Sequence, residues 1–344
     1  MEVNSIFKKK NKKTFIIAEV GLAHEGSLGL AMKYVDVVKS IGADCVKFQT
    51  HLAEYESSKF EKFRVNVFPQ DKTRYDYWKR TSFTLQEWFK LKKYCDKKKI
   101  EFLSSPFSIE AIKLLRRCNI KFWKLSSGES YNRHILNEIC KDKKPVIFST
   151  GLSSIIEVKK TAKILKKNKK NFAILHCTSR YPTKPEEIGL NIIEKFKKKF
   201  FAPIGFSDHS GKIYSSLAAV TLGASIIENH IILSKDSFGP DTSSSLDVEE
   251  FKKLVEGVRF IEKIRENPIS KEYLDHNTQK LKKLFGKSAF IKKKIKKYEI
   301  LKRNNIVFKK PGSGLNEDQI QKFIGKKLNI DLKPGELIKK NFFI

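Results

Sequence analysis

At 344 residues and 40% hydrophobic content, the chain can bury a substantial core and divide into a large and a small domain. Its 70 Lys and Arg against 38 Asp and Glu give a formal net charge of +32, but the lysines fall in short runs (97–99, 166–170, 197–199, 292–297) without aromatic interleaving or a nucleic-acid motif, which argues against nucleic-acid binding and suits anionic small molecules. No apolar stretch approaches the ~20 residues of a membrane span, the basic start Met1 to Lys13 lacks a signal peptide's apolar core, and five scattered cysteines (Cys45, Cys95, Cys118, Cys140, Cys177) suggest neither disulfides nor a zinc ribbon, so a cytoplasmic protein with reduced thiols is expected.

From Thr14 to about Arg265, short β-branched or aromatic runs alternate with amphipathic stretches. Eight strands are predicted, at 14–21, 44–50, 101–107, 122–128, 145–150, 172–178, 203–207 and 225–231, which is what a (β/α)8 TIM barrel requires. Ser27 opens the first helix, Thr84 and Glu87 make a capping box before another, and Asp247 with Glu250 opens the last. An insertion, roughly His51 to Phe83, follows the second strand, and loops of that length on a barrel usually cover the active site.

After residue 265 the pattern changes. A polar linker, 266–283, leads to a small β-rich domain, 284–344, carrying Ser288-Ala-Phe-Ile, Pro311-Gly-Ser-Gly and Pro334-Gly. So short a segment buries little alone, so it is expected to dock on the barrel or on a second subunit.

Chemistry in such a barrel sits at the carboxyl ends of the strands. Those ends read Glu19; Lys47 and Gln49; Ser105 and Phe107; Lys124, Ser127 and Glu129; Ser149; Ser179 and Tyr181; Ser207 and His209; Glu228 and His230. Lys47 and Lys124 with the serine hydroxyls suit phosphate and carboxylate oxygens, although any one serine could equally be a turn or a helix cap. A lysine inside the apolar run Cys45-Val-Lys-Phe needs an anion to offset its desolvation. Glu19 is a candidate general acid or base, or else the salt-bridge partner of a lysine. His209 and His230 close two successive strands, so their imidazoles would emerge side by side as two ligands of a divalent ion with open positions; either could instead satisfy a local hydrogen bond.

In order along the chain, Ile16-Ile-Ala-Glu-Val-Gly, Val46-Lys-Phe-Gln-Thr, Phe102-Leu-Ser-Ser-Pro-Phe, Lys124-Leu-Ser-Ser-Gly-Glu, Phe148-Ser-Thr-Gly-Leu, His176-Cys-Thr-Ser-Arg-Tyr-Pro, Gly205-Phe-Ser-Asp-His and Gly239-Pro-Asp resemble the sialic acid (nonulosonate) synthases. The tail is similar to the antifreeze-like (SAF) domain those enzymes carry. The resemblance implies condensation of phosphoenolpyruvate with N-acetylmannosamine or a related acylamino-hexose, through C–O cleavage of phosphoenolpyruvate, to a nine-carbon 2-keto acid and phosphate. It implies Mn2+ or Mg2+ on His209 and His230. Phosphoenolpyruvate would be held by Lys47, Ser105, Lys124, Ser127, Ser149, Ser179 and Ser207. The sugar would meet Gln49, Phe107, Glu129, Tyr181 and Asp241, and Glu19 would manage the proton of the attacking water. A homodimer with exchanged tails is implied, the tail completing the partner's sugar site.

The chain departs from the family pattern in three places. Asn-His-Asn-Gly reads Ala23-His24-Glu25-Gly26, the residue before Tyr181 is Arg180, and Arg-Pro-Gly-x-Gly reads Lys310-Pro-Gly-Ser-Gly. Lys310 keeps the charge of that arginine but loses its planar fork. Gly239-Pro-Asp favours the sialic and legionaminic branches over the pseudaminic one, leaving N-acetylmannosamine and 2,4-diacetamido-2,4,6-trideoxymannose both open. Two rivals remain: an aldolase forming a Schiff base at Lys47 or Lys124, and a basic nucleic-acid-binding protein.

Overall fold

A computed structural model describes residues 6–7, 13–63 and 68–344. Most of the basic start Met1 to Lys13, and residues 64–67 of the insertion, lie outside the described residues.

The chain divides into two units, Met1–Asn267 and Pro268–Ile344. The first is a (β/α)8 barrel of parallel strands β1 (Phe15–Gly21), β2 (Cys45–Thr50), β3 (Glu101–Pro106), β4 (Trp123–Leu125), β5 (Val146–Ser149), β6 (Phe172–His176), β7 (Ile204–Asp208) and β8 (Ile226–Ile231). The ladder runs β3-β2-β1-β8-β7-β6-β5-β4, and a two-residue strand β9 (Ser245–Leu246) adds to β8. Strands β3 and β4 lie side by side, yet no ladder joins them among the described residues.

Alternation along each strand divides the side chains between two cores. Ile16, Ala18, Val46, Phe48, Phe102, Trp123, Phe148, Phe206 and Ile227 point outward and pack under the helices. Phe15, Ile17, Cys45, Leu103, Phe122, Ile147, Ala173, Leu175 and Ile226 point inward and, with Ile6, fill the lower barrel; Phe7 packs on the same layer, its ring 6.1 Å from that of Phe122.

The helix starts follow the sequence signals. Ser27 accepts from Leu30 N at the head of the helix Leu28–Ser40, and Thr84 with Glu87 and Asp247 with Glu250 form complete capping boxes. Two strands stop two or more residues before the predicted end. β4 stops at Leu125, where Ser126-Ser127-Gly128 turns, and β6 stops at His176, so Ser179 and Tyr181 project from the following loop rather than from a strand. In both places nothing in the sequence, Ser126-Ser127 or Cys177-Thr178, marks the last ladder bond, so the prediction overruns the end.

The insertion forms its own small cluster. Helices Ala53–Glu56 and Arg74–Thr81 bury Ala53, Tyr75, Tyr77 and Trp78 with Leu22 and Phe68. It is fastened to the turn after β1 by Arg80, which pairs with both Asp71 (2.7 Å) and Glu25 (3.1 Å). Glu25 has a φ of 52°, a left-handed conformation that asparagine tolerates better than glutamate; the bonds from Arg80 and from the Tyr77 hydroxyl (3.2 Å) hold it there. A Cβ at the next residue, Gly26, would sit 2.7 Å from the Arg80 carbonyl oxygen.

The second unit contains a helix, His276–Phe285, within and just beyond the expected linker, and an antiparallel pair, β10 (Ser288–Ile291) and β11 (Ile306–Lys309). Its core gathers Ala289, Ile291, Ile295, Leu301, Leu315, Ile320, Leu328, Leu332 and Ile338. Among the described residues no helix is long and apolar enough to cross a membrane.

Candidate active site

One more step of the inward alternation replaces the apolar layer with a polar one. Ile17 is followed by Glu19, Cys45 by Lys47 and Gln49, Leu103 by Ser105, Phe122 by Lys124, Ile147 by Ser149, and Ile226 by Glu228 and His230. Strand register sets Glu19 opposite both Lys47 and His230, and Ser207 opposite Glu228. A cavity of about 570 Å3 opens above this layer.

Two lysines and two carboxylates share the cavity floor. Lys47 Nζ lies 2.7 Å from Glu19 Oε2 and 3.8 Å from Glu228 Oε2. Lys124 Nζ lies 3.4 Å from Glu228 Oε1 and donates to Ser149 Oγ at 2.8 Å. Ser207 Oγ donates to Glu228 Oε1 (3.1 Å). All four charged groups are buried. Burial opposes charge on Glu228, but Lys124 and Lys47 together bring its carboxyl down to about 2. Glu19 is less well compensated: burial, with Glu228 adding, raises it to about 7 against the pull of Lys47. Burial works against the Lys47 ammonium, yet its two carboxylates leave its pKa raised, whereas Lys124 is lowered, chiefly by burial. The two carboxylates are thus pushed apart, Glu228 staying ionised and Glu19 lying near neutrality.

Beside this floor lies a hydroxyl-lined recess. Gly151 N donates to Ser127 Oγ (3.1 Å), and a Cβ at Gly151 would fall 2.3 Å from Ser179 Oγ and 2.7 Å from Cys177 Sγ. Glycine is therefore required for the two serines to converge. Ser105 Oγ is buried with no hydrogen-bond partner, a donor held ready for a ligand oxygen.

His209 and His230 meet across the rim, ring centroids 5.6 Å apart. The Asp208 carboxylate, accepting from Ser210 N (2.8 Å) and from Ser215 and Ser216 hydroxyls, fixes the chain next to His209. His209 Nδ1 faces the Thr178 carbonyl oxygen at 2.8 Å; a carbonyl only accepts, so Nδ1 carries the proton and Nε2 keeps its lone pair, 3.0 Å from the Tyr181 hydroxyl. Burial and the neighbouring His230 hold His209 down at about 4, hence neutral. This donor set fits a divalent ion bound through two imidazoles. Among the described residues no group of three or more His, Cys, Asp or Glu could hold one, so most positions on such an ion would be left for water or substrate.

The other side of the cavity is acidic and aromatic. Gln49, Phe107, Glu129, Tyr181 and Asp241, the residues that the resemblance assigns to the sugar, line the same cavity. Glu129, raised by burial, accepts from Asn132 Nδ2 at 2.9 Å. Glu25, His51, Glu56, Glu61, Arg74, Tyr77 and Trp78 line it too and were not singled out from the sequence. All seven come from the turn after β1 or the insertion, where, His51 apart, no periodicity announces which side chains return to the rim. His51 had a signal, standing two residues beyond Gln49 on the inward face. Every residue singled out lines the one cavity except Lys310, which belongs to the second unit, its ammonium 5.2 Å from the centre of the Phe285 ring.

The NeuB family profile matches residues 34–270, and a SAF domain profile matches residues 286–344. The chain is 36% identical over 335 residues to the N,N'-diacetyllegionaminic acid synthase of Campylobacter jejuni subsp. jejuni serotype O:2, covering 96% of this chain and 100% of that one. It is 35% identical over 338 residues to a pseudaminic acid synthase of Campylobacter jejuni subsp. jejuni serotype O:23/36, covering 97% of each. Among solved structures it is similar to the N-acetylneuraminic acid (sialic acid) synthetase of Leptospira borgpetersenii serovar Hardjo-bovis in complex with citrate, with a TM-score of 0.69 and 32% identity over 78% of this chain and 90% of that one.

Proposed function

Because the chain belongs to the NeuB family and ends in a SAF domain, we propose that it condenses phosphoenolpyruvate with an acylamino-hexose to give a nonulosonic acid and inorganic phosphate. The observation that carries the reading is the cavity floor. Two buried lysines, an unpartnered serine hydroxyl and a convergent serine pair make a receptor for a small, multiply charged anion.

In this reading Lys47 and Lys124 neutralise the phosphate and carboxylate of phosphoenolpyruvate, and Ser105, Ser127, Ser149, Ser179 and Ser207 donate to their oxygens. C3 of the enol ester attacks the sugar aldehyde, forming the new C–C bond, and water adds to C2. Glu19, poised near neutrality, accepts the proton of that water. The C2–O bond to the phosphoryl group then breaks, so the bridging oxygen leaves with phosphate and C2 becomes the ketone. A divalent ion on His209 and His230 would act as a Lewis acid toward the aldehyde oxygen. Imidazole donors suit a transition ion such as Mn2+ better than Mg2+, which prefers oxygen. Gln49, Phe107, Glu129, Tyr181 and Asp241 would hold the sugar.

The acceptor is N-acetylmannosamine or a 2,4-diacetamido-2,4,6-trideoxymannose in this proposal. Nearly equal identity to a legionaminic and a pseudaminic acid synthase gives the Gly239-Pro-Asp motif the deciding weight against the pseudaminic branch. We also propose a dimer in which the second unit, carrying Lys310, completes the sugar site of a partner subunit. Purified protein with Mn2+, phosphoenolpyruvate and a panel of acylamino-hexoses tests the proposal: phosphate release should require a sugar, the product mass should be that of the nine-carbon keto acid, and bridge-labelled phosphoenolpyruvate should deliver its label to phosphate. Label retained in the organic product would refute C–O cleavage.

A second reading has one observation in its favour. Burial lowers the pKa of Lys124, which would help it act as a Schiff-base nucleophile. Borohydride trapping with pyruvate should leave the protein unmodified; a covalent adduct at Lys124 would replace the synthase reading with an aldolase.

A further inference from the structure

The insertion delivers a hydrogen-bonded pair to the cavity that no role assigned above uses. Gln49 Nε2 donates to Glu19 Oε1 (2.9 Å), which turns its carboxamide oxygen toward His51 Nε2 at 3.1 Å. On the other side, His51 Nδ1 lies 2.7 Å from Glu56 Oε1. Carboxylate and carboxamide oxygens only accept, so the ring faces an acceptor at each nitrogen.

The ring is clamped between Trp78, 4.6 Å away at 7°, and Phe107, 4.1 Å away at 15°, and Ser82 Oγ donates to the His51 carbonyl oxygen (2.8 Å). So rigid a mount fixes Glu56 as well. Its side chain is only 4% exposed, it lines the cavity, and its second oxygen, Oε2, is buried without a hydrogen-bond partner. A buried carboxylate oxygen left unsatisfied is costly in a protein that satisfies its neighbour so carefully.

The surroundings narrow what could satisfy it. Glu56 stands at the end of the hydrogen-bonded series Glu19, Gln49, His51, leading away from the lysines. Glu129, whose carboxyl Glu56 helps to raise, and Asp241 line the same cavity, and Arg74, which lines it too, is already paired with Glu61 (2.8 Å). A phosphate or carboxylate would be repelled there, whereas a hydroxyl or amide N–H would be welcomed. We infer that Glu56 Oε2 is a specificity-determining acceptor for the sugar, taking a hydroxyl or acylamino N–H at the end of the hexose remote from its aldehyde. The inference rests on the synthase reading above and adds to it a residue on the insertion. Positions 4, 5 and 6 of the open-chain hexose are the sources of such a donor, position 6 only where the acceptor is not a 6-deoxy sugar.

Glu56→Gln is the incisive variant. The carboxamide oxygen can still accept from His51, while an NH2 donor replaces Oε2 at nearly constant size, so the donor of the sugar would meet another donor. With the acylamino-hexose that the wild type turns over fastest, the variant should raise the sugar KM tenfold or more and leave the phosphoenolpyruvate KM within twofold. On the wild type, one analogue lacking the hydroxyl or acylamino group at position 4, 5 or 6 should show the same loss, and Glu56→Gln should be indifferent to that one change. The analogue that behaves so names the position. If Glu56→Gln does not fold, Glu56→Asp, which keeps the charge and withdraws the oxygen, should produce a smaller rise of the same kind. An unchanged sugar KM, a parallel rise in both KM values, or equal deoxy losses in wild type and variant would overturn the inference while leaving the synthase reading intact. A wild type that turns over no acylamino-hexose would overturn both.

Discussion

Removing the charge of Glu228 tests whether the cavity floor is a balanced anion receptor. Glu228→Gln keeps the shape of the side chain and an oxygen for Ser207, but Lys124 at 3.4 Å and Lys47 at 3.8 Å lose their shared carboxylate. Each contact has a gross Coulomb energy of about 4–5 kcal/mol at an effective dielectric of about 20. Because an uncompensated charge stays buried, the net loss of stability should be about 3–5 kcal/mol, or roughly 10 °C in unfolding midpoint for a barrel of this size. Lys124, already lowered by burial, relieves part of that cost by releasing its proton, so the loss should be largest at acid pH and shrink as pH rises. Phosphoenolpyruvate alone supplies the missing negative charge, so it should bind the variant more tightly and restore more of the midpoint than it adds to the wild type; a ligand at one hundred times its Kd contributes about 2.7 kcal/mol. Thermal unfolding with and without phosphoenolpyruvate, and a calorimetric titration, read both effects. An unchanged midpoint, or weaker binding of phosphoenolpyruvate to the variant, would refute the charge balance.

Other outcomes follow from the same geometry. Burial and His51 hold His24 at about 3, well below its ordinary value, so the folded state resists charging it: its contribution is fully present above about pH 6.5 and is lost, at about 1.4 kcal/mol per pH unit, as pH falls below that. The unfolding midpoint of His24→Gln should be less sensitive between pH 6.5 and 5, and an unchanged slope would count against the assignment. His209→Ala should abolish Mn2+ binding measured calorimetrically and cut turnover at least a hundredfold with the barrel still folded; retained binding would show that the ion sits elsewhere. Lys310→Arg should change the sugar KM by severalfold and leave that of phosphoenolpyruvate alone, and no change in sugar KM would place Lys310 outside the pocket.

Much of the barrel and its rim was legible because strand periodicity carries geometric information. Ile17 buried below predicts Glu19 in the mouth, and an ammonium in Cys45-Val-Lys-Phe predicts an anion beside it, which Glu19 and Glu228 supply. Where a strand stops was less legible, since nothing in Ser126-Ser127 or Cys177-Thr178 marks the last ladder bond. The insertion was opaque for another reason. Its contribution depends on contacts between Arg80 and Glu25, and between His51 and Trp78, that join segments about 55 and 27 positions apart, and local pattern does not encode them.

A cylinder laced along every edge but one has a preferred place to stretch. The unlaced edge runs between β3 and β4, and those strands bear Ser105 and Lys124, two of the groups facing the anion. The distance across that edge is the one spacing around the rim that no backbone ladder holds among the described residues. Side-chain changes alone could reset it, widening or narrowing the anion seat for a different enol ester while the other seven strand pairings stay as they are.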